Sequence, residues 1–283
     1  MSNQDIKRPA LRYHGGKWIL APWIISHFPE HRTYVEPFGG AASVLLRKQR
    51  CYSEVYCELD GEVTNYFQIL RDPKTRAKLV EAVQLTPFSR AEFELSCQVS
   101  DDALESARRL VVRSFMGFGS TVTGRWKTGF RSNSNRSGST PAHDWANLPV
   151  ALAQIGRRFK GVVIEERDAT KCMSEHDSPY TLHYIDPPYP NSTRNKRWAG
   201  RAYKHELTDD DHLNLLNFLI DEIEGMVVIS GYRCELYNDM LSGWISIEKE
   251  TFADGARERT EVLWLSNNCK KSLPLFDSFG IAV

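Results

Sequence analysis

At 283 residues, 41% hydrophobic and 25% charged, the chain has room for one large α/β domain with an insertion or for two domains, and its composition is that of an ordinary globular protein. Its 36 Lys and Arg balance 36 Asp and Glu, which excludes a global field for a polyanion, so such a partner has to be met by a local patch. Six cysteines without a C-x-x-C pair argue against a disulfide frame or a zinc site; with no apolar leader and no run of transmembrane length, the expectation is a cytoplasmic protein that does not engage a membrane.

In chain order, Tyr13-His14-Gly15-Gly16-Lys17 reads as a glycine-hinged loop before an amphipathic helix from Trp18 to Ile25, and its lysine can meet an anionic ligand group. Thr33 to Glu36 reads as a short buried strand, followed by the small-residue turn Pro37-Phe38-Gly39-Gly40-Ala41-Ala42 and a helix from Ser43 to about Arg50. Strand, tight turn and helix let a backbone approach a nucleotide-like ligand closely, although there is no full G-x-G-x-x-G. The second strand, Glu54 to Glu58, ends in an acid with Asp60 close behind, the place where nucleotide-binding α/β folds hold a ribose diol. Either carboxylate fits.

Helical spacing and caps then predict helices over Val63 to Leu70, Thr75 to Val83, Ser89 to Leu95 and Asp102 to about Phe118, broken by Asp72-Pro73 and Thr86-Pro87. The sheet resumes only at Val162 to Glu165 after a short helix from about Val150 to Phe159, so the stretch between is an insertion. From Ser106 to His143 it contains no Asp or Glu, while Arg108, Arg109, Arg113, Arg125, Lys127, Arg131 and Arg136 interleave with Phe118, Trp126 and Phe130. An acid-free, basic, aromatic-studded stretch suits a surface that lies on phosphates and bases.

The third strand leads to Asp168, another acid at a strand's C-terminal end, and Asp186 follows eighteen residues later, which allows only a short connection. Leu182 and Tyr184 continue an apolar alternation that Pro187 and Pro188 stop, so Asp186-Pro187-Pro188-Tyr189 is displayed where open α/β sheets bind ligands. The run from Pro190 to His205 is again acid-free, with Arg194, Lys196, Arg197, Arg201 and Lys204. Thr208 caps a helix to about Ile223, Met226 to Ser230 is a fifth strand, and Trp244 to Thr251 with Thr260 to Leu265 reads as an antiparallel hairpin ending an otherwise parallel sheet.

These strand ends suit a nucleoside and an amine. The glycine turn with Glu36, the acid at Glu58 and the acid at Asp168 can hold a nucleoside's polar tail, ribose and exocyclic amine. Tyr189 can then stack on a nucleobase while Asp186 and the Pro187 carbonyl accept from its NH2 group, which frees the nitrogen lone pair for an electrophile. No metal or cysteine nucleophile is required. A duplex base reaches such a pocket only by leaving the stack.

The ordered set Tyr13-x-Gly15-Gly16-Lys17, Val35-Glu36-Pro37-Phe38-x-Gly40, an inserted region and Asp186-Pro187-Pro188-Tyr189 resembles the Dam-type (D12 class, alpha group) DNA adenine-N6 methyltransferases. The resemblance implies S-adenosylmethionine as methyl donor, bound by Tyr13, Lys17, Glu36, Phe38, Gly40, Glu58 and Asp168, with Asp186 between donor and target adenine. It implies a Rossmann-like α/β sheet of order 3-2-1-4-5-7-6, formed by a discontinuous catalytic domain over 1–70 and 159–283. A mainly helical DNA-recognition domain over 71–158 is inserted into it. Contacts to double-stranded DNA are then expected from Arg113, Arg125, Trp126, Lys127, Arg131, Arg136, Arg194 and Lys196, in a monomer. Cytosine-N4 methylation, by the same attack of an exocyclic amine, and a catalytically idle DNA-binding relative are the alternatives. This chain departs from the family pattern in having Ala41-Ala42 where a second spaced glycine is common.

Overall fold

The computed structural model describes residues 6–119, 128–132, 138–193, 204–253 and 257–270. Among them, seven strands form one sheet: β1 (Thr33–Glu36), β2 (Ser53–Cys57), β3 (Val163–Glu165), β4 (Thr181–Ile185), β5 (Met226–Gly231), β6 (Ile245–Ala253) and β7 (Arg257–Leu265). Their order is β3-β2-β1-β4-β5-β7-β6, the order that the sequence resemblance implies. The first five are parallel, while β7 runs antiparallel to both β5 and β6. Residues of β1, β2, β4 and β5 are buried almost throughout, because helices cover both faces of a parallel sheet.

The helices are α1 (Ala21–Ile25), α2 (Ser43–Arg47), α3 (Gly61–Arg71), α4 (Pro73–Leu85), α5 (Arg90–Ser96), α6 (Ala103–Met116), α7 (Pro141–Ala146), α8 (Leu148–Phe159), α9 (Ala169–His176), α10 (Asp209–Asp221) and α11 (Glu235–Met240). Side chains that the sequence offers as caps start most of the longer ones. Asp72 accepts from Lys74 and Thr75 with Pro73 at the first helical position, Asp102 caps α6, and Thr208 and Asp211 form a reciprocal capping box on α10. None of these helices is long and apolar enough to cross a membrane.

Three local expectations change. The helix expected from Trp18 begins at Ala21, where Pro22 takes a first-turn position, and the one expected to reach Arg50 ends at Arg47. An eight-residue α9 fits where only a short connection was expected, because Asp168 caps it within three residues of the end of β3.

Alternation along the strands sends successive side chains to opposite faces. On one face Tyr34, Tyr56, Leu182, Tyr184, Val228 and Leu263 share a buried cluster with Phe67 and Leu70 of α3, Leu79 of α4, Leu110 of α6 and Leu152 and Phe159 of α8. Phe67 and Phe159 stack at 4.3 Å between centroids, and Tyr56 packs against both rings. On the other face Val35, Val55, Ile185, Ile229 and Val262 pack with Met173 of α9, Leu216 of α10 and Tyr237 of α11. Below the sheet, the buried Glu54 carboxylate is held by Arg158 at 2.6 Å and Lys48 at 2.9 Å, which ties β2 to α8 and to the end of α2.

Candidate active site

Because β1 lies between β2 and β4, the chain leaves it in opposite directions, and a crevice opens at the carboxyl ends of these strands. A pocket of about 290 Å³ lies there, walled by 13–17, 36–41, 58–60 and 167–170, by Asp186 and Pro188, and by residues of 204–215. Of the residues expected at a cofactor site, Tyr13, Lys17, Glu36, Phe38, Gly40, Glu58, Asp168 and Asp186 all reach this one pocket.

The glycine turn is pinned from below. The Gly40 N–H donates to Glu58 Oε2 at 2.8 Å, and the Gly40 carbonyl accepts from the Tyr56 hydroxyl at 2.7 Å. A Cβ on Gly39 would sit 2.2 Å from the Tyr56 ring, so only glycine lets the turn lie flat on β2. Gly40 has φ +45°, and Ala42, with φ 54°, occupies the left-handed region where the chain lacks a second glycine. That conformation costs about 1–2 kcal/mol for a residue with a Cβ.

The two acids after β2 divide their work. Glu58 accepts from three backbone amides, those of Gly40, Leu59 and Asp60, and so builds the turn. Asp60 caps α3 through Oδ1, which Lys204 also meets at 2.9 Å, while its buried Oδ2 has no hydrogen-bond partner among the described residues. Both acids stand on the pocket wall: Glu58 carries three amides on two oxygens that can accept about four donors, and Asp60 Oδ2 has no partner among the described residues.

Glu36 is 3% exposed, and its Oε2 accepts from the Tyr34 hydroxyl at 2.7 Å and the Leu45 amide at 2.9 Å. Burial pushes its carboxyl up to about 8 against these two hydrogen bonds. Asp168 caps α9; although burial acts against it, hydrogen bonds from Thr170 and Lys171 hold its carboxyl below the usual range.

Asp186 lies just past β4. Its Oδ1 meets the Lys17 ammonium at 2.8 Å and the Ser230 hydroxyl at 2.9 Å, and Ser230 in turn pairs with the Tyr184 hydroxyl. Lys17 also donates to the Gly15 carbonyl, stands 3.8 Å from Glu261, and lies 4.7 Å from the centroid of the Tyr189 ring. Lys17 thus reaches the pocket with its ammonium already facing Asp186 and Glu261. Pro188 is on the pocket wall with Asp186, whereas Pro187 and Tyr189 lie off it. Tyr189 donates its hydroxyl to Glu261 and meets the Tyr232 ring at 4.7 Å and 77°. Asp186 thus stands between the pocket and an aromatic pair.

Sequence reasoning missed Glu261, Ser230 and Tyr232. For Glu261 a signal was present: in the expected strand Thr260 to Leu265 it alternates with Leu263 and Leu265 onto one face, and a carboxylate there is buried.

The basic residues of the insertion need correction. Arg113 donates to Glu62 and to the Ser96 carbonyl, and Arg131, 8% exposed, donates to the Phe115 carbonyl. Arg108 and Arg109 are held by Glu105, and Arg108 by Glu92 as well. Glu105 in the first turn of the same helix, Glu62 of α3 and Glu92 of α5 supply the acids that the stretch itself lacks, and these arginines tie α6 to its neighbours. Arg125, Trp126, Lys127, Arg136, Arg194 and Lys196 lie outside the described residues.

Two curated proteins named DNA adenine methylase, from Vibrio cholerae serotype O1 strains O395 and N16961, are each 27% identical to this chain over 129 residues. The match covers 44% of this chain and 46% of theirs, so the chain spans about half the length of the curated relatives it matches. The family model described as D12 class N6 adenine-specific DNA methyltransferase matches residues 13–252, from the glycine loop through the motif at Asp186 and into β6. With the match covering most of its length, the chain belongs to the D12 class N6 adenine-specific DNA methyltransferase family.

Proposed function

We propose that the protein transfers a methyl group from S-adenosylmethionine to the N6 amine of an adenine flipped out of double-stranded DNA. The observation that carries this reading is the position of Asp186, a carboxylate on the wall of a nucleoside-sized pocket with an aromatic pair behind it. The pocket fits the donor: Asp60 Oδ2 is a buried acceptor in want of a hydroxyl, the turn at Gly39 and Gly40 allows close backbone approach, and Glu36 and Asp168 add acceptors for amines. When bound, the donor supplies an electrophilic methyl group on a sulfonium centre.

The chain's own residues do the rest by positioning. Asp186 and the Pro187 carbonyl accept from the N6 hydrogens, which turns the nitrogen lone pair out of conjugation and toward the methyl carbon. As the nitrogen–carbon bond forms, the carbon–sulfur bond breaks with its electron pair left on sulfur. The amine then sheds a proton, for which Asp186 is the adjacent acceptor. Tyr189 supplies a stacking face for the extruded base, and unstacking is easier when DNA is held on both sides. Arg125, Trp126, Lys127, Arg136, Arg194 and Lys196, in the two acid-free runs, are the residues we assign to that grip, with 71–158 as the recognition region and 1–70 with 159–283 as the catalytic one. The protein works in this reading as a metal-independent cytoplasmic monomer.

Expression in cells free of adenine methylation, followed by nucleoside mass spectrometry of their DNA, tests the reading. N6-methyladenine is expected from the wild type and none from Asp186→Ala. Only N4-methylcytosine, or no modified base from the wild type, would overturn it.

A further inference from the structure

Glu261 is 2% exposed on β7, two strands across the sheet from β4, and flanked in sequence by Thr260 and Val262. A carboxylate in such a place is costly unless it is paired. It accepts from the Tyr189 hydroxyl and lies 3.8 Å from the Lys17 ammonium, and the same ammonium is 2.8 Å from Asp186. One cation is therefore shared between the buried carboxylate of Glu261 and the half-buried one of Asp186, and Glu261 also holds the aromatic ring of the Asp186 motif.

We infer that Glu261 is a positioning residue for methyl transfer, which orients the Tyr189 ring through its hydroxyl and draws on the Lys17 charge so that Asp186 keeps its strength as an acceptor. The inference rests on the proposed function. Its electrostatic logic is a count: Lys17 with Asp186 alone sums to zero, whereas Lys17 with both acids leaves one negative charge beside an amine that becomes cationic in the transition state. Its steric logic is equally direct. Nothing covalent fixes the rotation of a tyrosine ring at the end of a strand, and a hydroxyl bonded to a residue of a different strand does so. Glu261 lies off the pocket wall, so neither effect requires it to touch the donor.

The test is a double-mutant cycle on the full-length protein with Glu261→Gln, which keeps an acceptor for Tyr189 but not the charge, and Tyr189→Phe, which keeps the ring. Single-turnover methylation of an adenine-containing duplex is measured beside the dissociation constants for that duplex and for S-adenosylhomocysteine. Glu261→Gln is expected to slow transfer by about 30- to 100-fold and Tyr189→Phe by about 10-fold, with both dissociation constants within about threefold of wild type. The double variant is expected to be slower than either single variant, because Glu261→Gln removes the charge while Tyr189→Phe removes the hydroxyl that holds the ring. A Glu261→Gln rate within about threefold of an active wild type, or a double variant no slower than Glu261→Gln alone, would overturn the inference alone. A folded wild type that forms no N6-methyladenine would overturn the proposed function and this inference with it. Should Glu261→Gln fail to bind S-adenosylhomocysteine, Tyr189→Phe carries the test: slowed transfer with intact binding supports the inference, and an unchanged rate refutes it.

Discussion

Replacing Glu36 by glutamine should change how the stability of the protein depends on pH. Glu36 is buried beside Asp186, and its carboxyl rises from an ordinary 4.5 to about 8, chiefly through burial. Between those values the folded protein keeps a proton that the unfolded chain has released, so stability falls as pH rises from about 4.5 to about 8 and is level outside that window. At about 1.4 kcal/mol per pH unit the wild type forfeits about 3–5 kcal/mol across the window. The amide that Glu36→Gln introduces can still accept from Tyr34 and Leu45 but has no proton to lose, so in this variant the component vanishes. Urea unfolding of both proteins at about pH 5, 6, 7 and 8 measures it, since other titrating groups cancel in the difference. A difference in unfolding free energy that grows with pH by at least about 2 kcal/mol supports the argument. Parallel curves would refute it, by showing that Glu36 ionises normally despite its burial.

Three further outcomes follow from the pocket and the insertion. Asp60→Asn, which keeps the cap on α3 but blunts the unpartnered acceptor, should weaken S-adenosylhomocysteine binding by about 10-fold in calorimetry, and unchanged affinity would return the ligand hydroxyl to Glu58. Arg125→Ala with Lys127→Ala should weaken duplex binding and reduce the slope of log affinity against log salt by roughly 1–2, leaving S-adenosylhomocysteine binding intact. Arg113→Gln, by contrast, should lower stability and leave that slope unchanged, because its guanidinium bonds Glu62 and the Ser96 carbonyl.

The sheet was legible because its determinants are local. The apolar run at Met226, the alternation of Leu182 and Tyr184, the prolines after Asp186, the breaker Asp72-Pro73 and the cap at Thr208 each act within a few residues, and the structure uses every one of them. The shared pocket was legible for a related reason: residues at the carboxyl ends of neighbouring parallel strands are brought together by the topology itself. What stayed hidden depends on pairings between distant segments. Arg113 reads as a DNA contact until Glu62, 51 residues away, is seen beside it. That Glu58 also builds the turn shows only when the Gly40 and Asp60 amides are seen on its oxygens, and the second partner of Lys17 only when Glu261, from the far end of the chain, joins Asp186 around it.

The continuity of the buried cluster from the sheet through α3, α4, α6 and α8 limits how this protein can be rebuilt. Leu79, Leu110 and Leu152 belong to 71–158, yet they complete the apolar floor under Tyr34 and Tyr56, on the strands that carry the pocket. Exchanging residues 71–158 for those of a relative would therefore transplant half of a core along with whatever reads the DNA, and side chains that interlock at native packing density tolerate such mismatches poorly. Phe130, packed against the same cluster, and Arg131, bonded to the Phe115 carbonyl, carry that constraint past the end of α6.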